Sequence, residues 1–380
     1  MTLTQNNVPA SEAGSESGRL FGELHKPFYS LDEVDLRIIG EIRTNGPRNI
    51  TAIAQALNVA PSTVLRRIDN LTVNLRLSIM TNLAYHKMGV KRAFLRIAPS
   101  REDDREAMDK VFSLSYWFQS YRVLGGNGHL VGFKIPDQLH SHYKAILTGL
   151  GSLYSINELS FHTVGEIAGL GPSFRWYNPA EKKWSIQWNE IRGKLVGSDP
   201  FPLDDPEDYS SEVDQLDTIM LLAMESNART SFSEMARIAG VSIPTVSDRL
   251  KKLTERGLIL GYACNLLPFA PEESRLLELI VSFPGKDEMS RFASGLLETP
   301  FLLSFSKEVG KSVMFIRSYL PNNDFRSLSV LLSDLMKEGA ITDFKIIELD
   351  VDGERLSRIS PTLFGQDLRR NNEVKLDQEG

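Results

Sequence analysis

Cysteine is almost missing: Cys264 stands alone among 380 residues. One thiol forms no internal disulfide and cannot build a cysteine-based zinc site, so a reducing, cytoplasmic setting is expected. Long apolar runs are missing as well. None approaches the roughly 20 residues that cross a bilayer, and no membrane partner is expected. The opening stretch, MTLTQNNVPASEAGSESG, lacks a basic segment followed by an apolar one, so no secretory signal is expected and residues 1–29 read as a disordered lead-in. A positive total is also absent. The net charge is −6 with a pI near 5.7, which excludes a protein that coats nucleic acid indiscriminately but not one that reads a site through local patches. There is no phosphate-binding loop, no Gly-x-Gly-x-x-Gly after a strand and no His-Glu-x-x-His. The six histidines are scattered, and His140 and His142, two apart, do not share a helix face. No catalytic residue, metal site or cofactor is expected.

What the chain does have is an internal repeat. Leu31–Leu71 matches Val213–Leu253 without a gap, at a constant offset of 182. Asp35 falls on Asp217, Asn45 on Asn227, Ala54 on Ala236, Val59 on Val241, Thr63 on Thr245, Arg67 on Arg249 and Leu71 on Leu253. Further on, Gly125 precedes Pro136 by the same interval that separates Gly310 from Pro321, and the offset becomes 185. Chance similarity rarely keeps register over such a span. The repeat unit is long enough for two domains per copy.

Within a copy, Ile38, Ile39 and Ile42 fall at helical spacing and Asn45-Gly46-Pro47 ends that helix. A short helix follows over 50–57, then a tight turn at Asn58-Val59-Ala60. Pro61-Ser62 opens a third helix with the buried stripe Val64, Ile68, Leu71. In copy two the stripe is Val246, Leu250, Leu253, Arg256-Gly257 closes the helix, and 258–262 reads as a strand, the wing. Three short helices with a tight turn before the third make a helix-turn-helix, whose last helix fits the major groove. Candidate contacts to double-stranded DNA are Ser62, Thr63, Arg66, Arg67 and Asn70 in copy one. In copy two they are Thr245, Ser247, Arg249, Lys251, Lys252 and Arg256.

After each wing the rhythm changes. Residues 93–97 read as a strand, 101–118 as a helix, 120–125 and 129–135 as a hairpin around Gly126-Asn127-Gly128, 138–150 as a helix and 156–163 as a strand. Copy two gives 277–283, 289–297, 302–309, 312–320, 324–338 and 341–349 in the same order. β-α-β-β-α-β is the ferredoxin-like pattern, with helices on one face of the sheet and the other face left for pairing. The fold class is therefore α+β: two winged helix-turn-helix domains (30–84 and 211–266) alternating with two ferredoxin-like domains (85–163 and 267–352). A linker spans 164–210 and a tail spans 353–380. The sheets of the two copies are expected to pair as an internal pseudo-dimer, with further homo-oligomers through exposed sheet faces.

The run Ala236…Val241…Thr245-Val246…Arg249-Leu250…Leu253…Gly257-Leu258-Ile259…Gly261-Tyr262, followed by a β-α-β-β-α-β domain, resembles the Lrp/AsnC family of transcription regulators. The resemblance covers most of 30–163 and 211–350. It implies sequence-specific binding to a two-part operator, assembly through the α/β domains and a small-molecule effector at a glycine turn between their second and third strands. That turn is Gly125-Gly126-Asn127-Gly128 in copy one and contains Gly310 in copy two. The family's following acidic residue is absent from both, which argues against an amino acid as effector. Copy one also has Asn74-Leu75 where copy two has Arg256-Gly257. Sirohaem decarboxylases are similar to this family in both domains, so an enzyme on the same scaffold is one alternative and a docking protein without DNA affinity another.

The linker 164–210 does not repeat. Gly165, Gly169, Gly171 and Pro172 open it, and Pro200, Pro202 and Pro206 close it among acidic residues. Between them lie Phe174, Trp176 and Tyr177, then Trp184, Trp188, Ile191 and Leu195 at the spacing of one amphipathic helix. A strap packed on the α/β domains is expected, with an aromatic pocket or partner surface as the alternative.

Overall fold

The computed structural model describes residues 31–357 and Ile359, apart from Asn127, Leu170, Pro268 and Ala270. The expectations for 1–29, for most of the tail and for Asn127 lie outside these residues.

Each helix-turn-helix is set by its caps. In copy one α1 (Glu33–Asn45) starts at Asp32, whose carboxylate accepts from the Asp35 N–H while Asp35 returns a bond to the Asp32 N–H. This reciprocal pair fixes the first turn. α2 (Ile50–Leu57) ends on Asn58 at φ 55°, the left-handed residue that turns the chain into α3 (Pro61–Asn74). Copy two repeats the plan with α7 (Gln215–Ser226) capped by Asp214, α8 (Phe232–Ala239) ending on Gly240 at φ 69°, and α9 (Ile243–Glu255). Ile53, Val64, Ile68 and Leu71 close one unit, and Met235, Val246, Leu250 and Leu253 the other.

The strand read as a wing makes a different partnership. β1 (Ser78–Leu83) pairs antiparallel with β8 (Ile259–Asn265), its counterpart in the other copy. The ribbon is also swapped underneath: α1 packs on β8 and α7 on β1. Tyr262 from β8 lies so close to Gly46 at the end of α1 that a side chain there would strike its ring. Neither helix-turn-helix is thus complete without the other copy.

The ferredoxin-like domains are β2 (Val90–Pro99), α4 (Asp104–Ser113), β3 (Trp117–Val123), β4 (His129–Pro136), α5 (Asp137–Leu153) and β5 (Ile156–Val164) in copy one. Copy two has β9 (Ser274–Ser282), α10 (Lys286–Leu296), β10 (Leu302–Lys307), β11 (Val313–Pro321), α11 (Phe325–Lys337) and β12 (Asp343–Leu356). The helix expected over 101–118 is shorter, because the chain turns at Tyr116 (φ 71°) and enters β3. β12 runs to Leu356, past the expected domain end. The strands form one eight-stranded sheet in the order β10-β11-β9-β12-β3-β4-β2-β5. β12 joins β3 through Leu349 opposite Val123 and Asp350 opposite Arg122. At the other end the Gly165 N–H donates to the Lys307 carbonyl and the Val309 N–H to the Thr163 carbonyl, so the end of β5 meets the end of β10 at a single bridge. Inside, Phe94 meets Phe315 at 5.5 Å, and Tyr121, Leu276, Tyr319 and Ile347 complete a core. The faces expected to pair do so, and being covered they are not free for a further oligomer.

The linker is a strap that packs on the second α/β domain and reaches the first helix-turn-helix. The expected single helix from Trp184 is corrected: Trp184 pairs with Tyr177 in a small hairpin, β6 (Tyr177–Asn178) and β7 (Lys183–Trp184), turned by Lys182 at φ 55°. Helix α6 (Trp188–Gly197) begins only at Trp188. α6 lies against α10 where Gly295 admits it, since a Cβ there would be 2.5 Å from the Lys194 carbonyl oxygen. Trp176, Ile191 and Leu195 enter the core of the second α/β domain, and the Trp176 indole N–H donates to the Glu298 carbonyl at 2.6 Å. Leu195→Ala is expected to cost roughly 2–5 kcal/mol through the cavity it leaves in a packed core. Urea unfolding followed by tryptophan fluorescence checks this; a loss below about 1 kcal/mol means the strap is not part of that core.

Candidate nucleic-acid interface

The outward faces of α3 and α9 hold the residues expected to meet DNA, and the structure divides them. Arg67 turns inward. One of its terminal nitrogens bonds Asp32 at 2.7 Å and Asp35 at 2.8 Å. Arg249 does the same with Asp214 at 2.6 Å and Asp217 at 2.8 Å. Each arginine ties the last helix of its unit to the capping box of the first. Both are struts, which corrects their assignment as outward DNA contacts. Burial opposes charge on Asp214, but the Asp217 backbone N–H and the Arg249 guanidinium outweigh it and hold the carboxyl below its usual value; Asp32 is lowered in the same way beside Arg67. Arg256 is also occupied, donating to the backbone carbonyl of Glu212 with its carboxylate at 3.4 Å.

Ser62, Arg66 and Asn70 on α3, and Ser247, Lys251 and Lys252 on α9, remain on the outside. Thr63 and Thr245 are half-buried at the helix starts. Lys252 pairs with Asp248 at 2.8 Å and Lys251 with Glu255 at 3.9 Å, loose one-turn contacts on an exposed face. Ser242 caps α9 and its hydroxyl meets that of Thr245 at 2.8 Å, whereas α3 starts at Ala60 without a side-chain cap. Ser242 is a functional position that the recognition-helix pattern misses, although a serine ahead of a first-turn proline is a readable cap signal. Arg229 carried no such signal. It sits in the turn after α7 and donates to Asp69 on the outer face of α3 at 2.9 Å, joining the two units.

Sequence comparison adds to this geometry. Residues 31–72 match the AsnC-type helix-turn-helix domain and residues 214–259 match a winged helix-turn-helix DNA-binding model. An uncharacterized HTH-type transcriptional regulator of Pyrococcus horikoshii is 24% identical over 127 residues, 33% of this chain and 81% of the relative. The HTH-type transcriptional regulator LrpA of Pyrococcus abyssi is 43% identical over 56 residues, 15% of this chain and 40% of the relative. In its helix-turn-helix segments the chain is similar to regulators of the Lrp/AsnC type. Its architecture also matches a solved structure of the siroheme decarboxylase NirDL, with a TM-score of 0.56 at 12% identity over 92% of this chain and 100% of that one. That likeness is one of fold.

The glycine turns that the Lrp/AsnC resemblance marks for an effector lie at the two seams of the sheet. Gly125 and Gly310 both take φ 76°, and Gly126 has no neighbour close to where a side chain would sit. Gly128 is covered by Arg96, whose guanidinium fills the space of a side chain. The Gly310 N–H donates to Asp205 of the strap at 3.1 Å. Among the described residues, no group of three or more His, Cys, Asp or Glu side chains is placed to hold a metal ion.

Arg249→Met is expected to lower stability by roughly 1 kcal/mol, because it removes the cation that the Asp214 carboxylate holds, an interaction that water partly screens. The sign with pH follows from a carboxyl whose folded value lies below 3.8. The gap between parent and variant is complete above that value and closes as pH falls through the lowered folded value. Thermal melts across acid pH check this, and a gap that persists in strong acid would contradict the clamp.

Proposed function

We propose that this chain binds double-stranded DNA sequence-specifically as a single-polypeptide pseudo-dimer and regulates transcription in the cytoplasm. The duplicated helix-turn-helix, with the outer face of the last helix left open in each copy, carries this reading, and the regulator names of its relatives support it. Phosphates are met by the hydroxyls at the helix starts and by Lys251 and Lys252, and base edges by Ser247, Arg66 and Asn70. Arg67 and Arg249 keep each recognition helix at a fixed pitch. The swapped ribbon and joined sheet fix the two helices relative to one another, so the operator should have two parts at one spacing. In this reading the α/β body serves assembly and performs no chemical step.

Recovery of genomic fragments bound by the intact chain, followed by salt-titrated binding, tests the proposal. The expected result is a discrete site bound at least about a thousandfold more tightly than random DNA at the same salt. Weak binding to every sequence that salt erases would overturn it.

One observation favours a second reading: the fold likeness to siroheme decarboxylase NirDL spans both copies. An enzyme on this scaffold would use polar groups between the sheets, where Arg92 donates to Ser306 at 3.1 Å and Arg317 to Glu278 at 2.5 Å. Absorbance titration with an iron tetrapyrrole tests it, and a flat titration removes it.

A further inference from the structure

The two helix-turn-helix units meet one another at a junction that is not symmetric. The gapless repeat puts Arg48 of copy one at the position of Thr230 in copy two. Each sits just before the residue that caps the next helix, Asn49 for α2 and Ser231 for α8. These matched positions touch. The Arg48 guanidinium donates to the Thr230 carbonyl at 2.7 Å, and its carbon lies 5.2 Å from the centre of the Phe232 ring. A second tie starts one residue earlier in the same turn. Arg229 donates to Asp69 on the outer face of α3 at 2.9 Å, and the Ala228 N–H donates to the Ile79 carbonyl of β1 at 2.8 Å. The Arg229 tie is not returned: its match is Pro47, which has no side-chain donor, and the match of Asp69 is Lys251, which pairs with Glu255 on its own helix.

In a dimer of identical chains, a residue that meets its own counterpart across the two-fold is the same on both sides. An arginine at this place would face an arginine, and the two charges would repel. Fusion lifts that constraint, so an arginine on one side can be met by a carbonyl on the other. Resting on the DNA reading above, we infer that Arg48 and Arg229 are positioning residues that hold the two recognition helices at one separation and so set the spacing between the half-sites of the operator. The ribbon β1–β8 joins the units at their bases, but two strands alone make a weak frame. The arginines tie the units beyond it, and Arg229 does so on a recognition helix itself. Each added base pair moves a half-site about 3.4 Å along the duplex and about 35° around it. Helices held rigidly reject the wrong spacing, and loosened helices accept it.

The test uses the full chain and duplexes built from its best genomic fragment: the two half-sites with zero, one or two base pairs inserted between them, and each half-site alone. The parent should lose at least about tenfold in affinity for one inserted base pair. Arg48→Ala with Arg229→Ala should bind the parental spacing about tenfold more weakly, discriminate less than about threefold among the spacings and keep the parental affinity for a lone half-site. Arg48→Lys, which keeps a donor, should retain part of the discrimination. On a lone half-site the slope of log affinity against log salt should not change, because a positioning residue releases no counterions. Melting curves identify variants that fold, and if the double variant melts early, Arg229→Ala alone, which opens only an exposed pair, carries the same comparison. Parental discrimination among spacings in the folded variants overturns the inference. So does a flatter salt slope, which would make the arginines phosphate contacts; both results leave the DNA reading standing. If the parent chain selects no fragment at all, the DNA reading falls and this inference with it.

Discussion

A four-stranded β-α-β-β-α-β sheet leaves two strand edges with unpaired N–H and C=O groups and one bare face, and this chain carries two such sheets. Both needs are met by the same move. β12 pairs with β3 and the end of β5 meets the end of β10, while Phe94, Tyr121, Phe315 and Tyr319 fill the space enclosed. The β3–β12 ladder and the bridges at Val164 and Ala168 cover strand edges that would otherwise be open to pairing with strangers. The joined sheet also places the roots of β1 and β8 where they can pair, and that ribbon in turn carries the two helix-turn-helix units. Loosening either seam would therefore act on the distance between the recognition helices, far from where it was applied.

Fusing two protomers removes the rule that both ends of such a body be alike. At one end Lys134 is buried against Glu225 of α7 at 2.5 Å, with the Tyr85 and Phe118 rings beside its ammonium. Burial lowers its proton affinity and Glu225 opposes that fall. At the matched positions of the other end stand Tyr319 and Arg43, and Trp184 of the strap packs there, tilted against Phe269 at 5.2 Å. Arg43 reaches out to the Pro172 carbonyl at 2.9 Å. One helix-turn-helix is held to the body by a buried ion pair and the other by aromatic packing from a segment that has no counterpart. A buried pair is costly to break and sensitive to geometry, whereas apolar packing is tolerant, so the two joints respond differently to the same disturbance.

The repeat made most of this legible. A constant offset through Asp35/Asp217, Arg67/Arg249 and Leu71/Leu253 located both helix-turn-helix units, and turn chemistry at Gly125–Gly128 located the β3–β4 hairpin, because these are local signals. Three features were not local. The wing strand's partner lies in the other copy, and nothing in 258–262 says so. Trp184 has helical spacing to Trp188, yet the Tyr177 pairing and the left-handed Lys182 override that period. Arg67 and Arg249 look like free cations on a recognition helix; their partners are acids 32 and 35 residues upstream, visible only once Asp32 and Asp214 are recognised as capping residues. The outer faces of the last helices are therefore less charged than their sequence implies.

That lost charge bears on how a neutral face recognises an anionic polymer. With both arginines clamped, the exposed cations of α9 are Lys251 and Lys252, and Asp248 and Glu255 stand within one turn of them. Counterion release from so few lysines gives little sequence-independent affinity, which agrees with a chain of net charge −6. Binding to random DNA is then weak from the start, and contacts to base edges decide where the protein stays. A highly basic regulator spends most of its time on wrong sites and needs large affinity to escape them. A neutral one reaches a useful specificity ratio with fewer good contacts, provided its helices are held rigidly, and the arginine clamps and the swapped ribbon supply that rigidity.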